Sequence, residues 1–201
     1  MTGPLALVGL MGAGKTTVGQ LLARRLRVPF VDSDRLLEER TGVSIATIFE
    51  LEGEARFRER EAALIDELLD GTPKVLATGG GAVLSEATRR ALRTRAVTVY
   101  LHTRPETSYA RVRRCRDRPL LRVADPLDRL RTLYSLRDPL YREVASTVVE
   151  SNEAHPSATA KKIAAWLSSA TAASPELERE RREASTCVPS TAELRNLAID
   201  S

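Results

Sequence analysis

Residues 5–18 read LALVGLMGAGKTTV, and this stretch decides the fold class. A short apolar run typical of a strand leads into a glycine-rich turn, and apolar residues at helical spacing follow it. Residues 9–16 match the pattern G-x-x-x-x-G-K-S/T between a strand and a helix, the context in which this motif is specific. A turn with a chance lysine is the alternative, which the intact pattern and flanks disfavour. The stretch therefore predicts a loop that binds the phosphates of a nucleoside triphosphate.

The residues of this phosphate loop have separate predicted tasks. Glycine lets the backbone wrap closely around phosphate, so that amide groups and the helix N-terminus point at the anion. Lys15 is expected to reach the β- and γ-phosphates of ATP, the co-substrate, and the Thr16 hydroxyl to ligate Mg²⁺. The ATP-binding residues predicted in the loop are Gly12, Ala13, Gly14, Lys15, Thr16 and Thr17.

Composition limits the class of protein that this 201-residue chain can be. Its 42% of hydrophobic residues is enough for a core, and a net charge of +4 suits anionic substrates without indicating a nucleic-acid partner. Cys115 and Cys187 form no C-x-x-C pair, so neither a disulfide framework nor a zinc site is predicted. The two separated cysteines suit the reducing cytoplasm, and because we find no signal-peptide pattern and no apolar stretch of about 18 residues, we expect no membrane partner.

Short apolar runs alternate with helical segments along the chain. The predicted strands are residues 5–9, 29–31, 75–77, 97–101 and 147–149. The predicted helices are residues 18–26, 35–41, 44–70, 85–93, 105–114, 126–144 and 157–169. This order predicts an α/β fold with a parallel sheet between two layers of helices, and continuous apolar strands indicate burial on both faces. Ligands of such sheets bind beyond the carboxyl ends of the strands.

Two groups of residues follow predicted strands at that edge. Asp32 and Asp34 come after the second strand, where one carboxylate can face a metal ion and the other an acceptor hydroxyl. Helix capping is the alternative for either of them. Residues 79–81 are three glycines after the third strand, which allow a ligand to approach the backbone closely. An ordinary turn would need only one or two.

Arginines supply the remaining candidates. Arg58 and Glu61 are neighbours on one helix face, so the carboxylate can orient the guanidinium towards a substrate carboxylate, although a solvated charged face is equally consistent with the spacing. The basic run 111–122 has three interpretations: a lid that closes over the triphosphate, a solvated charged face, or a surface that binds nucleic acid. Within this run Arg118 directly precedes Pro119. Later in the chain, Arg137 lies two residues before Pro139. No role is assigned to either histidine.

Taken together, these motifs resemble the shikimate kinase family, within the nucleoside-monophosphate-kinase-like P-loop group. The matching elements are residues 9–16, Asp32-Ser33-Asp34, Phe57-Arg58 with Glu61, Gly79-Gly80-Gly81, residues 118–121, and Arg137 with residues 139–141. The resemblance implies a three-layer α/β/α fold with a five-stranded parallel sheet in the order 2-3-1-4-5. It also implies transfer of the ATP γ-phosphoryl group to the 3-hydroxyl of shikimate, giving shikimate 3-phosphate and ADP for aromatic amino-acid synthesis.

The resemblance also assigns the acceptor side of the site. Asp34 would hold the acceptor hydroxyls and take the proton, and Arg58 and Arg137 would clamp the shikimate carboxylate. The shikimate-binding residues implied are Asp34, Arg58, Gly79, Gly80, Gly81 and Arg137.

On the nucleotide side, Thr16 would bind Mg²⁺ directly and Asp32 through water. Lys15 and Arg118 would stabilise charge on the transferring phosphoryl group, and Arg111 would lie against adenine. Members of the family often carry a further late arginine near the base, and residues 152–156 contain none.

The resemblance covers roughly residues 3–169 and implies a kinase domain over residues 1–169 with a lid at about 112–125, acting as a monomer on small molecules without a nucleic-acid partner. The linker-like composition from about residue 168 onward predicts a mobile tail over 170–201. Two other functions remain open from the sequence. A gluconate kinase would keep the phosphate loop without needing both arginines, and a regulatory nucleotide-binding module would lose the lysine, the metal ligand or the base.

Overall fold

Five parallel strands form one sheet in the part of the chain that the structure describes. The structure is a computed structural model, and it describes residues 2–113, 123–152 and 155–173. The strands are β1 (Leu5–Val8), β2 (Phe30–Asp32), β3 (Val75–Ala77), β4 (Val97–His102) and β5 (Thr147–Glu150). Their spatial order, β2-β3-β1-β4-β5, confirms both the predicted fold class and the predicted order.

Burial differs between the centre and the edges of the sheet. Strands β1 and β3 are buried along their whole length, whereas β2 is half-buried and β5 alternates between half-buried and exposed residues. Val148 in β5 is 41% exposed. The prediction that all strands are buried on both faces is therefore wrong for the two edge strands, which pair with a neighbour on one side only.

Helices connect the strands and cover the sheet. Within the described residues they are α1 (Lys15–Leu26), α2 (Ser33–Thr41), α3 (Ile45–Leu68), α4 (Glu86–Arg95), α5 (Pro105–Val112), α6 (Pro126–Val144) and α7 (Pro156–Ala173), with a 3-10 turn at Ala82–Leu84. Helix α3 is broken at Gly53, where φ is 81° and ψ is 170°. The prediction of one continuous helix over 44–70 is therefore wrong at this point, because glycine adopts a positive φ at little cost.

Polar side chains determine where four of the helices begin. Asp32, Ser44, Ser85 and Asp125 each accept hydrogen bonds from the backbone amides of the first turn. These amides have no partner within the helix, so a side-chain oxygen at this position stabilises the helix by about 1 kcal/mol.

Buried apolar side chains of the described residues form a larger and a smaller cluster between the layers. The larger one joins β1, β3 and β4 to helices α2, α3, α4 and α6. The smaller one consists of Leu10, Met11, Val112, Leu130 and Leu133. It packs the start of the phosphate loop against α5 and α6, so the loop is attached to the core and not only to its flanking strand and helix.

The backbone divides into two compact units, Met1–Ala164 and Ala165–Ser201. Helix α7 begins in the first unit and ends in the second. Residues 174–201, most of the predicted tail, lie outside the described residues, so the boundary at 169 stays a prediction. Among the helices described, none is long and apolar enough to cross a membrane.

Parallel pairing aligns the carboxyl ends of the central strands. Val8 of β1 is opposite Tyr100 of β4, and Ala77 of β3 is opposite both Leu7 and Asp32. The segments that follow β1, β2 and β3 therefore leave the sheet at the same edge, where the phosphate loop, the aspartates and the glycines were predicted to meet.

Leu76 offers a test of the core. Its side chain is fully buried in β3, so Leu76→Ala is expected to lower the free energy of unfolding by about 2–5 kcal/mol in a urea titration. Leu51→Ala is the control, because that leucine is 79% exposed and its loss should change stability by less than about 0.5 kcal/mol. Equal losses in the two variants would contradict this position of the core.

Candidate active site

Two glycines give the phosphate loop its curvature. Gly12 and Gly14 have φ values of 78° and 90°, a region that favours glycine. A β-carbon on Gly12 would lie 2.9 Å from both the Ser108 carbonyl oxygen and Val112 Cγ1, so helix α5 also leaves no space for a side chain. The loop ends at Gly14, the N-cap of α1.

Side-chain donors bind five consecutive carbonyl groups of this loop. Lys15 Nζ donates to the carbonyls of Gly9 and Leu10 at 2.7 and 3.0 Å. The next three carbonyls, of residues 11–13, accept from Ser108 Oγ at 2.8 Å, Arg111 Nη1 at 3.1 Å and Ser151 Oγ at 2.8 Å, respectively. Hydrogen bonds from these side chains to the carbonyl groups therefore give the loop a defined shape.

Asp32 performs two tasks at the end of β2. Its Oδ2 accepts a hydrogen bond of 2.7 Å from Thr16 Oγ1, while its Oδ1 accepts from the amides of Asp34 and Arg35 and caps α2. Helix capping, one of the two interpretations of this residue, is therefore present, and the bond from Thr16 places Asp32 beside the phosphate loop, while its role towards a metal ion stays a prediction. The hydroxyl and the carboxylate are hard oxygen ligands within one hydrogen bond of each other, which suits Mg²⁺.

The first glycine after β3 lies against two carboxylates. A β-carbon at Gly79 would come within 2.6 Å of Asp34 Oδ1 and would also overlap Glu61 Oε1. The absence of a side chain therefore lets both acidic side chains approach the backbone. The Gly79 amide donates to Ser33 Oγ at 3.0 Å, which fixes this turn against the start of α2.

Arg58 is held by two carboxylates of its own helix. Its guanidinium donates to Glu61 Oε2 at 2.6 Å and to Glu54 Oε1 at 3.0 Å, and the side chain is only 17% exposed. A β-carbon at Gly81 would overlap this guanidinium. The predicted orientation of Arg58 by Glu61 is thus present, and the glycine turn makes room for it.

Glu61 is the buried acid of the site, with a side chain 3% exposed. Burial raises the pKa of Glu61, and the charge of nearby Asp34 adds to this effect, while Arg58 and Arg137 oppose it. The site therefore combines two acids and two guanidinium groups around one glycine turn.

Helix α6 contacts the middle glycine. Arg137 Nη1 and the Tyr141 hydroxyl both donate to the Gly80 carbonyl, at 3.2 and 2.5 Å. Both side chains are buried, and burial raises the pKa of Tyr141 to about 12, so its hydroxyl remains a donor at neutral pH. Arg137 is thereby brought to the same turn as Arg58, 79 positions earlier in the chain.

On the nucleotide side, Arg111 donates to three carbonyl groups and so links the phosphate loop to the segment that follows β5. Besides the Gly12 carbonyl, its guanidinium reaches the carbonyls of Ser151 and Asn152 at 2.6 and 2.9 Å. Its predicted contact with adenine stays a prediction.

Arg118 and most of the predicted lid at about 112–125 lie outside the described residues.

Some residues around the site gave no signal in the sequence. His102 was assigned no role, yet its ring nitrogens contact Glu150 Oε1 at 2.6 Å and the Tyr134 hydroxyl at 2.8 Å. The bonds from Ser108 and Ser151 to the phosphate loop span 97 and 138 positions. Isolated serines and histidines carry no local pattern that could indicate partners so distant.

Comparisons with known proteins agree with this geometry. The family model described as "Shikimate kinase" matches residues 11–168. The chain belongs to the shikimate kinase family. A shikimate kinase from Pseudomonas syringae pv. tomato is 53% identical over 163 residues, which cover 81% of this chain and 95% of the relative. Another, from Aromatoleum aromaticum, is 50% identical over 159 residues, covering 79% of this chain and 91% of the relative.

Solved structures of shikimate kinases share the same backbone. The shikimate kinase from Acinetobacter baumannii, solved in complex with shikimate, has a TM-score of 0.82 and 46% identity, with coverage of 84% of this chain and 94% of that one. The Aquifex aeolicus enzyme has a TM-score of 0.73 and 34% identity, with coverage of 84% and 98%. The resemblance drawn from the motifs is confirmed, and with it the expectation that the chain is a kinase with ATP as co-substrate.

Glu61 predicts a particular pH dependence of stability. Because its pKa is raised on folding, the folded protein holds this proton more tightly than the unfolded chain does. The resulting stabilisation is complete below about pH 4.5, the ordinary pKa, and is lost as the pH rises through the folded-state value.

Glu61→Gln cannot ionise, so the wild-type free energy of unfolding minus that of the variant should fall as the pH rises above 4.5. Urea unfolding at a series of pH values measures this difference. A difference that grows with pH would show that Arg58 and Arg137 outweigh burial and lower the pKa instead.

Proposed function

We propose that this chain transfers the γ-phosphoryl group of ATP to the 3-hydroxyl of shikimate, giving shikimate 3-phosphate and ADP for chorismate and aromatic amino-acid synthesis. One observation carries the proposal. A phosphate loop and a glycine turn lined by Arg58, Arg137, Asp34 and Glu61 lie at one sheet edge, in a chain 46% identical to a kinase solved with shikimate.

The acceptor side matches the chemistry of shikimate, which offers one carboxylate and three hydroxyl groups. Arg58 and Arg137 bind the carboxylate, since a guanidinium fork suits its two oxygens. Asp34 and the backbone of Gly79, Gly80 and Gly81 bind the hydroxyl groups. Glu61 holds Arg58 in place, as its 2.6 Å ion pair supports.

In the reaction, the 3-hydroxyl oxygen forms a bond to the γ-phosphorus. The bond from that phosphorus to the β,γ-bridging oxygen breaks, and its electron pair remains on ADP. The proton of the hydroxyl passes to Asp34. The protein forms no covalent bond with the substrates in this step, so positioning and electrostatic stabilisation supply most of the rate acceleration.

The nucleotide side consists of the phosphate loop and its basic neighbours. The loop amides, Thr17 and Lys15 bind the phosphates, Arg111 lies at the base, and Arg118 acts with Lys15 on the transferring group. Thr16 would hold Mg²⁺ directly and Asp32 would hold it through water, and the 2.7 Å hydrogen bond between their oxygens supports their place at one site. When bound, the ion neutralises charge on the phosphate oxygens.

We further assign the chain to the cytoplasm as a monomer that acts on two small molecules, without a nucleic-acid or membrane partner. These assignments follow from cysteine usage and charge, together with the family resemblance.

The deciding experiment is coupled ADP release with shikimate, with gluconate and without an acceptor. We expect release to depend on shikimate. Faster release with gluconate would favour the gluconate kinase alternative, and equal release in all three would favour a nucleotide-binding module.

Asp34→Asn tests the proton acceptor. The amide keeps the size of the side chain but cannot take a proton, so turnover should fall about 100-fold or more. ATP affinity, measured by calorimetry, should stay close to that of the wild type because Asp34 lies on the acceptor side. Loss of ATP binding would instead place Asp34 in the nucleotide site.

Arg58→Lys tests the carboxylate clamp. Lysine keeps a positive charge beside buried Glu61 but lacks the planar fork, so the KM for shikimate should rise about tenfold or more while the KM for ATP changes little. Arg56→Lys is the matched control, since Arg56 is exposed and pairs with Glu59 on the same helix. Equal changes in both KM values would remove Arg58 from the carboxylate site.

A further inference from the structure

Two buried serines from distant segments bind the backbone of the phosphate loop. Ser108, on α5, is fully buried and donates from Oγ to the Met11 carbonyl at 2.8 Å. Ser151, just after β5, is 4% exposed and donates from Oγ to the Ala13 carbonyl at 2.8 Å. Neither belongs to the phosphate-loop motif, and neither has a role in the proposed reaction so far.

These bonds determine which way the adjacent amides point. In a trans peptide the carbonyl oxygen and the following N–H point in opposite directions. A carbonyl of Met11 held by Ser108 therefore directs the Gly12 amide to the opposite side, and a carbonyl of Ala13 held by Ser151 does the same for Gly14. Backbone amides turned away from the two serines in this way are the kind of donor that a phosphate needs.

A glycine-rich loop needs restraint from outside. Glycine has more accessible backbone conformations than any other residue, so the free loop would lose much entropy on binding a ligand. Helix α5 adds a steric restraint, because its backbone at Ser108 is close enough to Gly12 to exclude a β-carbon. Burial of both hydroxyl groups keeps water from competing for the two carbonyls.

We propose that Ser108 and Ser151 are positioning residues, which hold the phosphate loop in its phosphate-binding shape before the nucleotide arrives. They act through the loop backbone and need not touch the substrate. The identity of the ligand, ATP or ADP, rests on the proposed function; the restraint on the loop rests on the two hydrogen bonds.

Ser108→Ala and Ser151→Ala, separately and together, test the proposal by calorimetric titration with ADP and with shikimate. Each single change leaves a buried carbonyl without its donor and frees the loop, so the Kd for ADP should rise about threefold to thirtyfold. The Kd for shikimate should stay unchanged, because neither serine contacts the acceptor side. Titrations are made well below the melting temperature of each variant.

Thr98→Val is the matched control. Thr98 is fully buried in β4 and donates from Oγ1 to the Leu92 carbonyl at 3.2 Å, which is the same kind of bond at a distance from the loop. It should lower the melting temperature without changing the Kd for ADP. Serine variants that lose only stability, or a threonine variant that loses as much ADP affinity, would overturn the proposal.

The two proposals fail in different ways. Wild-type protein that binds ADP but shows no shikimate-dependent turnover would contradict the proposed reaction and leave the loop restraint intact. Wild-type protein with normal turnover, together with serine variants of unchanged ADP affinity, would contradict the loop restraint alone.

Discussion

Parallel pairing of β1 with both β3 and β4 is the constraint on which the rest of the site depends. It brings the carboxyl ends of the central strands to one edge, so the phosphate loop and the glycine turn begin side by side. Loops at such an edge are suited to carry chemistry because a buried sheet serves as the scaffold that positions them. Every candidate residue that the structure describes on the acceptor side lies on, or packs against, a segment leaving this edge.

Electrostatics explain why the acceptor side is built around glycine. Burying guanidinium and carboxylate groups is costly unless each is paired and hydrogen-bonded. Gly79 and Gly81 allow Asp34, Glu61 and Arg58 to approach the turn, while the Gly80 carbonyl accepts from Arg137. Such a cluster is not an efficient way to stabilise a fold, which supports the substrate-binding role proposed for it.

Much of this could be predicted from the sequence because the signals are local. The apolar runs identified the strands, and the phosphate-loop motif, the aspartate pair and the three glycines identified the site edge. The errors have physical causes. Exposure of β5 depends on its edge position, and the break in α3 depends on one glycine that also occurs in continuous helices. Spacing alone could not decide between an ion pair and a solvated face for Arg58 and Glu61.

The sequence by itself determined the fold class, the phosphate loop and the family, since each depends on short local motifs and on the order in which they follow one another along the chain. Only the tertiary structure decided which distant groups meet. His102 contacts Glu150 and Tyr134, and Ser108 and Ser151 donate hydrogen bonds to the phosphate loop. A hydrogen bond depends on positions to within a fraction of an ångström, and those positions are set by the packing of whole elements, which no local pattern records.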